Sequence, residues 1–198
     1  MDYQTRRREQ ARKTEQMILQ SALALMRTRG FDKVSVRDIC RAANITTGAF
    51  YHHFSSKEAL FTKGFSPLDL YMEQSLAGYD GDSPLEKLRI ILTSYARFIE
   101  IECGELTGQY YQQRVLNPLA VKSMDQNRYI NRAMLDCLAA AEEKGLLSVS
   151  RSPEWLADFL FRHFRGVVID WVLHDYGYSL LEKMTEDYEL FERLFADV

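Results

Sequence analysis

Apolar residues recur three and four positions apart along almost the whole chain, which is the period of a helix with one buried face. The pattern predicts an all-α fold. Glu9 to Arg29 sets Ile18, Ala22, Leu25 and Met26 on one stripe, and Gly30 followed by Phe31 supplies a left-handed stop with an apolar residue just beyond it. Ser35-Val36-Arg37-Asp38 reads as a capping box opening a second helix from Val36 to about Ala43, with Ile39, Cys40 and Ala43 inward. Asn44, which tolerates positive φ, supplies a sharp turn, and Ile45 plugs the corner. Thr46 then caps a short third helix. Its Phe50 and Phe54 face inward, leaving Thr47, Gly48, Ala49, Tyr51, His52 and His53 on other faces. A second capping box, Ser55-Ser56-Lys57-Glu58, opens a fourth helix.

Beyond Leu60 the signals are sparser. Gly64 and Pro67 do not fit one straight helix, and Ser66-Pro67-Leu68-Asp69 looks like a fresh start with proline in the first turn. Asp80 to Pro84 is a loop, followed by helices over Leu85 to about Cys103, Glu105 to Leu116 and, past the Asn117-Pro118 boundary, Val121 to Lys144 with Gly145 as its stop. A strongly apolar helix opens at Ser150 to Pro153, runs through Trp155, Phe164 and Trp171, and stops near Gly177. A last helix spans about 179–196.

Charge divides the chain. Residues 1 to 63 carry 12 Lys and Arg against 6 Asp and Glu, a balance of +6, while the remainder stands at −9. A basic first third joined to an acidic remainder suits a polyanion at one end only. No run of about 18 apolar residues and no apolar signal-type core is present, so a cytoplasmic location without membrane contact is expected. Cys40, Cys103 and Cys137 are widely spaced and lack metal-ligand neighbours, so they are expected to be buried free thiols, with neither metal nor cofactor.

Enzymatic readings find no support. None of the four histidines has a glutamate three positions earlier, which removes the di-iron bundle pattern, and there is no P-loop, nucleophile elbow or dinucleotide fingerprint. What remains is the pair of short helices around Asn44. A capped helix, a tight turn and a second helix with a small, polar outer face form the helix-turn-helix geometry, spanning roughly residues 35 to 53. A protein-binding adaptor could reuse that geometry, but the basic first third favours DNA.

The run from Val36 to Phe54, followed by Ser56-Lys57-Glu58-Ala59-Leu60, closely resembles the signature of the tetracycline-repressor (TetR-like) family. Asn44 stands where that family usually has glycine, and Pro67 interrupts the helix that usually links its two domains. The resemblance implies a three-helix DNA-binding domain over residues 1–55 and a helical effector-binding and dimerisation domain over 56–198. It further implies a repressor that binds a palindromic operator as a homodimer and leaves it on binding a small-molecule effector.

The residue roles follow from the same resemblance. Arg37 would reach a phosphate or a guanine edge. Thr47, Gly48 and Ala49 would face the major groove, where small side chains let the backbone approach. Tyr51 would place its hydroxyl on a phosphate, and His52 would project toward base edges or backbone. His53 would touch a phosphate or pack under the turn. Lys57 would meet a phosphate at the start of the fourth helix, and Thr46 is first a cap and second a phosphate donor. The basic residues Arg6, Arg7, Arg8, Arg12 and Lys13 precede or open the first helix and would enter the minor groove, add nonspecific attraction, or make no contact. Dimerisation would use the last two helices, about 153–176 and 179–196, with Gly166 permitting close approach. Effector candidates are the aromatic and embedded polar residues Tyr95, Phe98, Tyr110, Tyr111, Met124, Tyr129, Arg162, His163 and Trp171.

Overall fold

The computed structural model describes residues 3–62, 66–116 and 129–195, and every regular element among them is a helix. The chain divides into two compact units, Met1–Pro67 with Glu105–Asn117, and Leu68–Gly104 with Pro118–Val198.

In the first unit lie α1 (Tyr3–Arg29), α2 (Val36–Ala42), α3 (Thr47–His53), α4 (Ala59–Thr62) and α7 (Leu106–Leu116). α1 begins six residues earlier than its apolar stripe announces, because Tyr3 to Lys13 continues the helix with every residue exposed. Ile18, Leu19, Ala22 and Met26 bury its inner face, with Leu19 rather than Leu25 taking the fully covered position; Leu25 is only half-buried. Gly30 takes φ +81 and its amide closes on the Met26 carbonyl at 2.8 Å, the expected left-handed stop. α4 starts one turn later than the Ser55 box would place it. The Ala59 amide donates to Ser56 Oγ at 3.3 Å, so Ser56 is the capping serine. A bond from Glu58's own backbone amide, and then the Ser56 hydroxyl, hold the Glu58 carboxyl below its usual range.

The second unit contains α6 (Pro84–Arg97), α8 (Tyr129–Glu143), α9 (Pro153–Leu173) and α10 (Leu180–Phe195), together with α5 (Ser66–Leu76) from Leu68 onward. α5 opens at Ser66 with Pro67 in its first turn, as its sequence suggests. Leu156, Leu160, Phe164, Val168 and Trp171 run down the inner face of α9 and are buried, as are Leu88, Ile91 and Leu92 of α6, Met134 and Leu138 of α8, and Met184 and Tyr188 of α10; α8 and α10 each pack against both α6 and α9. Residues 121–128, where the helix ending at Gly145 is expected to begin, lie outside the described residues, as do the Asn117-Pro118 boundary and Met124.

Two features depart from the helix expected over Leu85–Cys103 and from the expected stop near Gly177. α6 ends at Arg97 and continues as a wider π-helical turn over Phe98–Cys103. That turn points Glu100 at the start of α10, where its carboxylate accepts from the Leu181 amide at 2.8 Å and from Ser179 Oγ at 3.4 Å, satisfying donors that the helix leaves open. α9 stops at Leu173, because Asp175 and Tyr176 both turn to positive φ and the Trp171 indole donates across the corner to the Tyr178 carbonyl at 2.8 Å.

Tyr188 is buried in this core, and its hydroxyl donates to the Leu85 carbonyl at 2.6 Å, tying α10 to the first turn of α6. Burial pushes its phenol well above the ordinary range, so it stays neutral. Tyr188→Phe removes only that hydrogen bond and should cost about 1 kcal/mol in urea unfolding at fixed protein concentration. An unchanged midpoint would show that the bond adds nothing net.

Candidate nucleic-acid interface

The geometry is built from local bonds upward. Ser35 Oγ accepts from the Asp38 amide at 3.2 Å, and the Asp38 carboxylate accepts from the Ser35 amide at 3.0 Å, completing the capping box at the start of α2. Asn44 sits at φ +52, and the Ile45 amide closes on the Cys40 carbonyl at 3.0 Å, which reverses the chain in three residues. Thr46 Oγ1 accepts from the Ala49 amide at 3.1 Å and starts α3.

Burial then decides which face of α3 is left outside. Phe50 and Phe54 are 0% and 1% exposed, with ring centroids 5.6 Å apart, in a core with Ile18, Ala22, Ile39 and Cys40. Thr46, Thr47, Gly48, Tyr51 and His52 are exposed and Ala49 is half-buried, so the small-residue tip and the Tyr51 hydroxyl lie on the outer surface. Tyr51, at 56% exposure, rests its ring edge on Phe50 at 5.5 Å, which supports the side chain without covering the hydroxyl. A Cβ on Gly48 would meet only Thr46 Oγ1 at 3.8 Å, so glycine is not demanded there by packing inside the protein. Arg37 is exposed on α2.

His53 and Lys57, both nominated, are also tied to other parts of the chain. His53 is largely covered and faces α1, its Nδ1 4.0 Å from Glu15 Oε2, which favours packing under the turn over a phosphate contact. Lys57 donates from Nζ to the Phe31 carbonyl at 2.7 Å and sits 4.0 Å from the Phe31 ring centroid. That contact joins the start of α4 to the turn after α1, and sequence reading missed it because the two positions are 26 residues apart.

Residues 18–63 match the family of bacterial regulatory proteins, tetR family. The chain is 30% identical over 167 residues to the transcriptional repressor KstR2 of Rhodococcus jostii, covering 81% of this chain and 77% of that protein. The chain belongs to the tetR family. It is also 25% identical over 187 residues to the probable acrEF/envCD operon repressor of Escherichia coli K12, covering 90% of this chain and 84% of that one. In fold it is similar to the Thermus thermophilus repressor FadR, solved with lauroyl-CoA, with a TM-score of 0.65 at 22% identity and coverage of 90% and 92%. As a tetR-family member, the chain is a ligand-responsive, DNA-binding transcriptional regulator rather than an enzyme.

The effector candidates are less coherent than the α3 face. Tyr110 and Tyr111 belong to the first unit, edge to face with centroids 5.1 Å apart. In the second unit Tyr95, Phe98 and Trp171 are buried, Phe98 lying 5.2 Å from the Tyr71 ring. Tyr129 is half-buried. His163 pairs with Asp187 at 3.0 Å, and Arg162 is exposed and paired with Asp158 at 2.9 Å. Between α8 and α9 runs a groove of about 260 Å³ lined by Asn131, Arg132, Leu135, Glu154, Ala157, Asp158, Phe161 and Arg165, none of them nominated from the sequence. The Arg165 guanidinium lies 5.0 Å from the Phe161 ring centroid, an i,i+4 pair that the apolar period of α9 conceals.

All three cysteines are buried, and burial raises each thiol, Cys137 to about 11. At the head of α2, the Ser35 hydroxyl and amide hold the Asp38 carboxyl below its ordinary 3.8. A lowered folded value means that the capping box supports folding at neutral pH and loses this support as pH falls through that lowered value. Ser35→Ala should therefore destabilise the chain by about 1 kcal/mol near neutrality. The gap between variant and wild type in urea unfolding should narrow as the pH is taken below 3.8 and through the lowered Asp38 value, where the protonated carboxyl no longer supports the box. A gap independent of pH would contradict the reciprocal box.

Proposed function

We propose that this chain is a repressor that binds a palindromic operator as a homodimer and is released by a small-molecule effector. The observation that carries the reading is the exposed tip of α3, small at Thr47 and Gly48, polar at Tyr51 and His52, and held outward by the buried Phe50 and Phe54. Thr47, Gly48 and Ala49 face the major groove, Tyr51 and Arg37 take phosphates, and His52 reaches base edges or backbone. Thr46 adds a hydroxyl once its capping bond is made. His53 acts by supporting α3. Lys57 keeps two further N–H donors for a phosphate beside its bond to Phe31. Residues 1–55 are the DNA-binding domain and 56–198 the effector-binding and dimerisation domain, working in the cytoplasm on double-stranded operator DNA.

Dimerisation rests on a stripe, apolar apart from Arg162, that the chain leaves partly uncovered. On α9, Trp155, Phe159, Arg162, Gly166, Ile169 and Leu173 recur at alternating spacings of four and three, the seam of two helices wound together. Leu173 is 77% exposed, and Leu190 and Leu194 on α10 are also exposed. A second copy would cover this face as a four-helix bundle, and a Cβ at Gly166 would meet nothing within 4 Å inside its own chain.

The effector is an apolar or aromatic molecule with an acidic group. The buried aromatics Tyr95, Phe98 and Trp171 support the first part, and Arg132 and Arg165 beside Phe161 in the α8–α9 groove support the second. The lauroyl-CoA bound by FadR, a protein of similar fold, has that character.

Tyr51→Phe should weaken binding about tenfold on every duplex, read by fluorescence anisotropy. Unchanged affinity would remove the phosphate role. Leu173→Glu combined with Leu190→Glu should give a folded monomer by light scattering that no longer shifts operator DNA. A variant that remains a dimer would move the interface elsewhere.

A further inference from the structure

The first three turns of α1 are unlike the rest of the first unit. Tyr3 to Lys13 is helical and exposed throughout, and carries Arg6, Arg7, Arg8, Arg12 and Lys13 against the single acid Glu9. Apart from Tyr3 and Ala11 the segment is polar, so it has no apolar face with which to grip a protein. It is nevertheless anchored to α3, at the end of that helix opposite the Thr47 tip. Glu15, the next acid along the helix, faces His53 at the end of α3. At 3.6 residues per turn, Arg8 and Arg12 lie within about 60° of Glu15 around the helix, while Arg6 and Lys13 lie about 160–180° away. At a rise of 1.5 Å per residue, Arg12 and Arg8 stand about 4.5 Å and 10.5 Å along the axis beyond that contact. Lys13, on the far side, is taken up by Glu9 at 3.5 Å.

We propose that this helical extension is a second DNA-contacting element, in which Arg8 and Arg12 bind backbone phosphates beside the groove occupied by α3. The proposal rests on the DNA-binding reading above and adds a surface to it. A helix about 10 Å across does not fit a minor groove about 6 Å wide, so the segment lies along the backbone rather than inside the groove. Arginines near a helix start oppose its dipole, and phosphates on the same face remove that repulsion. The contact carries no sequence information. It raises affinity for any duplex and widens the footprint.

The test compares three full-length proteins on a 40-base-pair duplex of arbitrary sequence, by anisotropy between about 50 and 200 mM salt. They are the wild type, R8Q/R12Q and R6Q/K13Q, the two variants having lost the same charge from opposite faces of one helix. The slope of log affinity against log salt should fall by about 1.8 per bound protomer in R8Q/R12Q, and by less than half of that in R6Q/K13Q. An unchanged slope in R8Q/R12Q, or equal losses in both variants, would overturn the directed contact while leaving wild-type binding intact. Absence of salt-dependent binding by the wild type would overturn the DNA-binding reading itself. All four positions are exposed, and matching circular dichroism spectra would confirm that neither variant has unfolded.

Discussion

The burial of two rings, Phe50 and Phe54, orients α3 and decides which of its faces is exposed. A seven-residue helix has too few internal hydrogen bonds to persist in water by itself, so α3 exists because its inner face is packed against α1 and α2. Removing two phenylalanine side chains from water is worth several kcal/mol, more than the helix could gain from any single surface contact. The same burial leaves no freedom about which residues point outward. Thr47, Gly48, Tyr51 and His52 are exposed because Phe50 and Phe54 cannot be.

Around that constraint the chain spends its local signals on punctuation. The Ser35–Asp38 box, the positive φ of Asn44 and the Thr46 cap fix the ends of two short helices and the reversal between them. These are interactions between residues three or four apart, which is why they could be read from the sequence. Lys57 could not, because its carbonyl partner is set by how α4 returns to the end of α1. The length of α1 was hidden for a different reason. Apolar periodicity reports a buried face, and Tyr3 to Lys13 has none, although its Arg, Gln, Glu and Lys content favours a helix.

In the second unit the sequence shows the core more clearly than the site. Helix positions and the inner face of α9 follow from the four-residue spacing of Leu156, Leu160, Phe164 and Val168. A ligand cavity has no such period. Buried aromatics such as Tyr95 and Trp171 serve packing and ligand contact with the same chemistry, and the polar groups of the α8–α9 groove come from two helices whose register is fixed only in three dimensions. The π-helical turn at Phe98–Cys103 was equally silent: its apolar residues continue the period of α6, and only the reach of Glu100 to α10 shows what the widened turn achieves.

The central claim is that two outward-facing α3 tips, held by one apolar seam, read a two-fold DNA site. Selection of bound duplexes from a random pool by the full-length protein measures this directly. The enriched sequences should form an inverted repeat with half-site centres about 10 base pairs apart, or a multiple of that spacing. Enrichment of a single asymmetric site, or no enrichment at all, would contradict it.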